Sequence, residues 1–144
     1  MSRRDQIIDT ARDILETNGP DALTMRAIAQ RLGIRAPSLY KHIADKHELE
    51  IELIAAGLRD RAVAFEAAIA NTDQPIDDLG NAYRTWALDH PHLYELMMTK
   101  PLPRAELPEG LEDRAAAPII AAFDGDVDVA RAAWAFAHGM ASLE

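Results

Sequence analysis

Apolar residues recur at intervals of three and four positions along almost the whole chain, the spacing of a buried stripe on a helix. Near the N-terminus, Ile7, Ala11, Ile14 and Leu15 form one such stripe. No segment alternates apolar and polar residues as a half-buried strand does, and no hairpin turn separates two β-like runs. The sequence therefore predicts an all-α fold.

Glycine, proline and capping residues divide this pattern into a series of helices. The first helix is predicted to end at Asn18-Gly19-Pro20. Thr24 is the predicted N-cap of a short second helix, which Gly33 closes in the left-handed conformation. Pro37 fits the first position of a third helix, where its missing N–H costs nothing.

A long fourth helix follows, with Asp45 as its predicted N-cap and Glu48 at the spacing of a capping box. It is expected to run toward Ala70, where "NTDQP" breaks it. Four more helices are predicted before the end of the chain. Their markers are Leu79 to Ala87 for the fifth, Pro91 for the sixth, Gly110 to Phe123 with a kink at Pro118 for the seventh, and Val127 onward for the last.

The size and composition exclude several classes of protein. A chain of 144 residues suits one domain or a small module of a larger protein. It has no cysteine, so disulfides, thiolate zinc sites and cysteine nucleophiles are excluded. The first residues contain no long apolar run, so we expect neither a signal peptide nor a membrane-spanning helix, and a soluble cytoplasmic protein.

The charge is unevenly distributed along the chain. The whole sequence carries a formal charge of −9, yet residues 1–47 hold eight basic and six acidic residues, a net charge of +2. The remaining residues therefore carry −11. This contrast indicates that residues 1–47, the head of the chain, can bind an anion and that the rest of the chain cannot. The alternative is a random scatter of solvated charges.

Two short helices joined by a glycine-containing turn form the pattern of a helix-turn-helix motif. The major groove of B-DNA is about 12 Å wide and admits one α-helix. Thr24 and Arg26 lie at the start of the second predicted helix, where free N–H groups favour phosphate, and Lys46 lies at the start of the fourth. Tyr40 and Lys41 extend from the third helix, so this segment is predicted to touch a duplex.

The segment "ALTMRAIAQRLGIRAPSLYKHIADKHELEIELI" closely resembles the DNA-binding head of the tetracycline-repressor-like (TetR) family of transcription regulators. The resemblance implies a three-helix head in residues 1–47. It also implies two classes of DNA contact, with Thr24, Arg26, Tyr40, His42 and Lys46 on phosphates and Arg35, Pro37, Ser38 and Lys41 near base edges. The alternatives are a packed Tyr40, a bystander His42 and an Arg35 that faces solvent.

The second half of the chain resembles a subgroup of the same family that carries a Trp…His-Gly motif. Here the motif reads "WAFAHGM", with Trp134 followed by His138-Gly139. The resemblance implies that residues 48–144 bind a small effector and form a homodimer. Relatives usually continue beyond this motif, so we expect either an incomplete C-terminal domain or a reduced dimer surface.

Aromatic, histidine and methionine side chains in this half form a candidate effector pocket. Any one of them also fits an ordinary core. The set comprises Tyr83, Trp86, His90, Tyr94, Met97, Met98, Phe123 and Trp134.

Neither catalysis nor metal binding is expected, and no cofactor is predicted. Pro91 between His90 and His92 prevents the i, i+4 geometry of a metal pair. The chain has no Gly-x-Ser-x-Gly motif and no phosphate loop. His138 and Ser142 lie one turn apart without a third member of a triad.

The sequence as a whole predicts a dimeric, ligand-responsive regulator, most simply a repressor of a palindromic operator. Its partners are double-stranded DNA, a small-molecule effector and a second copy of the chain, with no membrane. The alternative is a helical protein-interaction module that has lost operator binding. Small residues of the last helix are expected to supply the dimer surface, although they also fit a tightly packed core; they are Ala132, Ala133, Ala137, Gly139 and Ala141.

Overall fold

The computed structural model describes residues 1–144 and contains eight α-helices, two 3-10 turns and no strand. The all-α prediction is confirmed. The chain packs into two compact units, each built from two segments. The first unit comprises Met1–Gly57 and Pro91–Leu107, and the second comprises Leu58–His90 and Pro108–Glu144.

The first unit contains the predicted head and an additional helix from later in the chain. Its helices are α1 (Arg3–Asn18), α2 (Met25–Leu32), α3 (Ala36–Tyr40), the first part of α4 (Lys46–Ile69), and α6 (Pro91–Met98). The predicted domain boundary after His47 therefore differs from the division into compact units. The reason is that α6 packs against α1, and the first half of α4 belongs with the head.

Local chemistry sets the ends of α2 as expected. The Thr24 hydroxyl accepts a hydrogen bond from the Ala27 N–H at 3.0 Å, and Gly33 closes the helix at φ 65° and ψ 30°. Only glycine adopts this left-handed conformation without a steric cost. Ile28 and Ala29 are buried on the inner face, so α2 is anchored along one side.

Helix α3 begins one residue earlier than the sequence predicts. Arg35 is its N-cap through the backbone, with no side-chain capping bond, and Pro37 occupies the second helical position. The missing N–H of proline is tolerated there too, because the first turn of a helix has no intrahelical acceptors.

At the start of α4, one of the two hydrogen bonds of the predicted capping box is formed. The Asp45 carboxylate accepts a hydrogen bond from the Glu48 N–H at 2.8 Å, as an N-cap does. The Glu48 carboxylate does not return to the Asp45 N–H; it accepts from the Ala44 N–H at 2.6 Å. Glu48 thereby ties the loop before α4 to the helix.

The second unit is a helical bundle. It contains the rest of α4 and the helices α5 (Pro75–Asp89), α7 (Leu111–Ala122) and α8 (Val127–Ala141). Helix α7 carries Pro118 in its interior, at the predicted position. Phe65 and Tyr83 stack in the core with ring centroids 5.8 Å apart.

None of the eight helices is both long enough and apolar enough to cross a membrane.

Candidate nucleic-acid interface and ligand cavity

All nine side chains predicted to contact DNA are exposed in the structure. Two lie at the start of α2, six belong to α3 and the residues flanking it, and Lys46 is the first residue of α4. They are Thr24, Arg26, Arg35, Pro37, Ser38, Tyr40, Lys41, His42 and Lys46.

The N-terminus of α2 can receive a phosphate. Thr24 uses its hydroxyl oxygen to cap the helix, which leaves the hydroxyl hydrogen available to donate outward. Arg26 follows two residues later and is exposed. The first N–H groups of a helix and the positive end of its dipole both favour an anion at this position.

Helix α3 and the residues after it have a buried apolar inner side and a polar outer side. Leu39 is 0% exposed and Ile43 is 1% exposed, so these two side chains anchor the segment to the head. Tyr40 is 49% exposed, and its ring is therefore not a core side chain. The outer side offers hydroxyl and ammonium donors from Ser38 and Lys41, the kind of group that reads base edges in the major groove.

An ion pair lies beside Lys46 at the start of α4. The His47 Nε2 is 2.9 Å from a carboxylate oxygen of Glu106, in the 3-10 turn Arg104–Glu106 that follows α6. The hydrogen bond to Glu106 raises the pKa of His47, and the negative charges of Asp45 and Glu50 add to this effect. This pair was not expected, since its two members are 59 positions apart.

A second unexpected cluster surrounds Arg4 of α1. Its guanidinium donates to the backbone carbonyl of His42 and bonds the carboxylates of Glu48 and Glu52, each at 2.8 Å. The hydrogen bonds to Glu52 and Glu48 raise the pKa of Arg4. The Ala44 N–H and then Arg4 lower the pKa of Glu48. Charge patterning along the chain gives no signal for this cluster, because its members come from two distant helices.

The second unit contains an apolar cavity of about 390 Å³ between α5, α7 and α8. Its charged lining residues are Arg84 and Glu144, which pair with each other at 3.0 Å. The full lining is Ile76, Leu79, Gly80, Tyr83, Arg84, Ile119, Phe123, Ala133, Trp134, Phe136, Ala137, Met140, Ala141 and Glu144.

Three of the eight predicted pocket residues line this cavity: Tyr83, Phe123 and Trp134. The indole of Trp134 stacks on the His138 ring, with centroids 5.6 Å apart and planes inclined by 10°. The Trp…His-Gly segment therefore contributes one wall of the cavity.

The other predicted pocket residues lie elsewhere. Trp86 donates from its indole N–H to Asp60 at 3.2 Å and packs against His90, with ring centroids 5.0 Å apart. Tyr94, Met97 and Met98 belong to α6 in the first unit, so they do not line the cavity of the second.

Met97 has a packing role in the first unit. A Cβ built on Gly57 would lie 2.7 Å from the Met97 sulfur and 3.3 Å from the Leu93 side chain. Glycine at position 57 is thus what lets α4 and α6 approach each other so closely.

Most of the cavity lining was missed from the sequence. Helix α8 contributes the largest share, and its apolar stripe of Ala133, Phe136 and Met140 is visible in the sequence. The structure places this stripe along the cavity.

Comparison with known proteins decides the family. Residues 7–53 match the model of "Bacterial regulatory proteins, tetR family", and residues 76–144 match "Tetracyclin repressor-like, C-terminal domain". Over 98% of its length the chain is similar to the HTH-type transcriptional regulator Rv0681 of Mycobacterium tuberculosis, with 30% identity. The chain belongs to the tetR family. It spans 69% of that regulator and as little as 39% of other relatives.

Solved structures of similar proteins agree with this tetR-family assignment. The regulatory protein SCO4313 has a TM-score of 0.73 and 30% identity over 97% of this chain and 82% of its own. BioQ, crystallised with its natural double-stranded DNA operator, has a TM-score of 0.65 and 26% identity, over 98% of this chain and 86% of its own. This tetR-family chain is accordingly a DNA-binding transcriptional regulator, and the resemblance of its first half to the TetR family is confirmed.

Proposed function

We propose that this tetR-family regulator is a ligand-responsive repressor that binds a palindromic operator as a homodimer in the cytoplasm. The observation that carries the proposal is that all nine predicted contact residues on and around α2, α3 and the start of α4 are exposed. BioQ, which is similar over 98% of this chain, was crystallised on its DNA operator, and this supports the same use of the head here.

The proposed contacts divide by chemistry. The helix starts and the residues around Tyr40 hold phosphates, because hydroxyl, guanidinium, imidazole and ammonium donors suit phosphate oxygens. This group contains Thr24, Arg26, Tyr40, His42 and Lys46. The residues that approach base edges are Arg35, Pro37, Ser38 and Lys41, and these determine the sequence that is read.

The proposed dimer surface is on α8. Val129 is 48% exposed, Met140 is 52% exposed and Phe136 is 72% exposed, so this helix leaves large apolar side chains in water within one chain. Only Ala130 of α8 is buried. A two-fold contact through α8 covers such side chains. A dimer with this symmetry recognises a two-fold symmetric operator, because the symmetry of the operator mirrors that of the protein.

The proposed effector site is the cavity of the second unit. Its volume of about 390 Å³ is within the range of ligand sites, and its walls are apolar and aromatic. An apolar molecule is the effector this lining suits. Its binding shifts the population toward a state in which the two heads no longer match the spacing of the operator, and repression is relieved.

Selection from a randomised pool of duplexes tests the proposal. The 144-residue chain should enrich an inverted repeat, and its affinity should fall steeply with salt as counterions are released. A protein-interaction module that has lost operator binding would retain no duplex even at low salt. Enrichment of a sequence without two-fold symmetry would contradict the dimeric reading of the operator.

A further inference from the structure

Helix α3 is too short to hold its own orientation. It contains five residues, and helices of this length are unstable in water by themselves. Leu39 and Ile43 anchor its inner side. The direction of its outer side must therefore come from contacts at its ends, and its N-terminal end has no side-chain cap.

The C-terminal end of α3 is held by the cluster around Arg4. The Arg4 guanidinium donates to the His42 carbonyl and pairs with Glu48 and Glu52 at 2.8 Å. Glu48 in turn accepts from the Ala44 N–H at 2.6 Å. The backbone on both sides of the buried Ile43 is thus tied to α1 and α4.

The same geometry makes Arg4 a poor ligand for phosphate. Two carboxylates and one carbonyl already accept from its guanidinium, so a phosphate must displace them first. The planar fork of arginine serves several acceptors in fixed directions, which a lysine ammonium does not do. The side chains of Arg4, Glu48 and Glu52 are each about one third exposed, so solvent screening keeps their contribution to the free energy of unfolding small.

We propose that Arg4, with Glu48 and Glu52 as its partners, is a positioning residue that sets the orientation of α3 for reading bases. The inference rests on the proposed function, in which the residues around α3 approach base edges. Recognition of base edges requires donors to be placed to within about half an ångström, so a loosened α3 loses sequence discrimination before it loses non-specific binding.

Arg4→Gln separates positioning from direct phosphate contact. The probes are the duplex enriched from the random pool by the unaltered protein and a scrambled duplex of equal length. Positioning predicts that affinity for the enriched duplex falls by about tenfold, the size of one charged hydrogen bond, with the salt slope and the scrambled duplex unaffected. Loss of a phosphate contact would weaken both duplexes and lower the salt slope by about one.

For Glu52→Gln, the two roles of Arg4 predict changes in DNA affinity of opposite sign. Removing this carboxylate releases Arg4, so a phosphate-binding Arg4 would strengthen DNA binding, whereas a positioning Arg4 predicts weaker binding to the enriched duplex. Glu50→Gln is the matched control, because it removes the same charge from the same helix at a residue without an ion pair to Arg4. Glu52→Gln binding as well as or better than Glu50→Gln would overturn the inference.

Hydrogen exchange makes the test independent of operator binding. The Ala44 amide should exchange faster in Arg4→Gln and Glu52→Gln than in Glu50→Gln, because Glu48 is then less well held. If the unaltered protein enriches no duplex, the proposed function fails, while this measurement still decides whether Arg4 and its partners hold the C-terminal end of α3. Arg4→Lys serves if Arg4→Gln does not fold, with the same direction expected; unchanged exchange at Ala44 would overturn the inference.

Discussion

At the residue scale, we expect single cations on the surface of the head to contact DNA in different ways, depending on their position relative to the start of a helix. Lys46 opens α4 and is exposed beside free N–H groups, a position that suits phosphate, whereas Lys41 follows directly after α3. We expect Lys46→Ala to weaken binding to every duplex alike and to lower the salt slope by about one. Lys41→Ala should instead alter the ranking of duplexes. Anisotropy titrations against a set of single-base variants measure both, and an unaltered ranking in Lys41→Ala would show that it does not read bases.

The pair of His47 and Glu106 makes a pH-dependent contribution at the scale of one residue. Because Glu106 raises the pKa of His47, the charged pair stabilises the folded chain fully below the ordinary histidine pKa, and this contribution is lost as pH rises through the raised value. We expect the NMR titration midpoint of His47 to move down toward the ordinary value in Glu106→Gln. An unchanged midpoint for His47 would show that the contact with Glu106 is not formed in solution.

At the scale of helices, the sequence predicts that a helix exists and where it ends better than it predicts which other helices it packs against. Thr24 and Gly33 delimit α2 because capping is a local interaction. The start of α3 is displaced by one residue because Arg35 caps through its backbone, which leaves no side-chain signal.

Periodicity also shows that a side chain is buried without showing which helix covers it. Trp86 lies on the same predicted stripe as Tyr83, yet it contacts Asp60 and His90 and not the cavity. Met97 was likewise a predicted pocket residue, but it packs beside Gly57 in the other compact unit. The all-α fold and the exposed surface of the head were therefore predictable, whereas most of the cavity lining was not.

The two tryptophans allow the effector cavity to be tested helix by helix. Trp134 on α8 lines the cavity and Trp86 on α5 does not, and the chain has no other tryptophan. We expect an apolar compound that releases DNA to quench the fluorescence of Trp86→Phe, in which Trp134 is the remaining indole. The matched variant Trp134→Phe should show little quenching. Quenching in Trp134→Phe alone would place the effector outside this cavity.

Two further substitutions, at Trp86 and Tyr83, distinguish a residue of the core from a residue of the cavity lining. Trp86→Ala removes a buried indole and should lower the free energy of unfolding by about 3–5 kcal/mol, measured by urea denaturation. Tyr83→Phe keeps the aromatic ring of a residue that lines the cavity and removes only its hydroxyl, so it should cost much less stability than Trp86→Ala. A larger loss of stability in Tyr83→Phe than in Trp86→Ala would contradict these assignments.

At the scale of the whole molecule, the proposed function depends on pairing two chains through α8. Phe136 is 72% exposed and Met140 is 52% exposed, and an apolar surface of this kind is covered in a stable two-fold dimer. We expect Ala137→Glu to give monomers that remain helical but bind the enriched duplex far more weakly, because one head alone reads one half-site. Val63→Glu is the control, since it adds the same charge at an exposed apolar position of α4, outside α8. Sedimentation and circular dichroism measure assembly and helicity. A chain that is monomeric at micromolar concentration and still binds the palindrome with full affinity would contradict the dimer, because the half-sites of a palindrome, centred about 34–36 Å apart, must be contacted together to give that affinity.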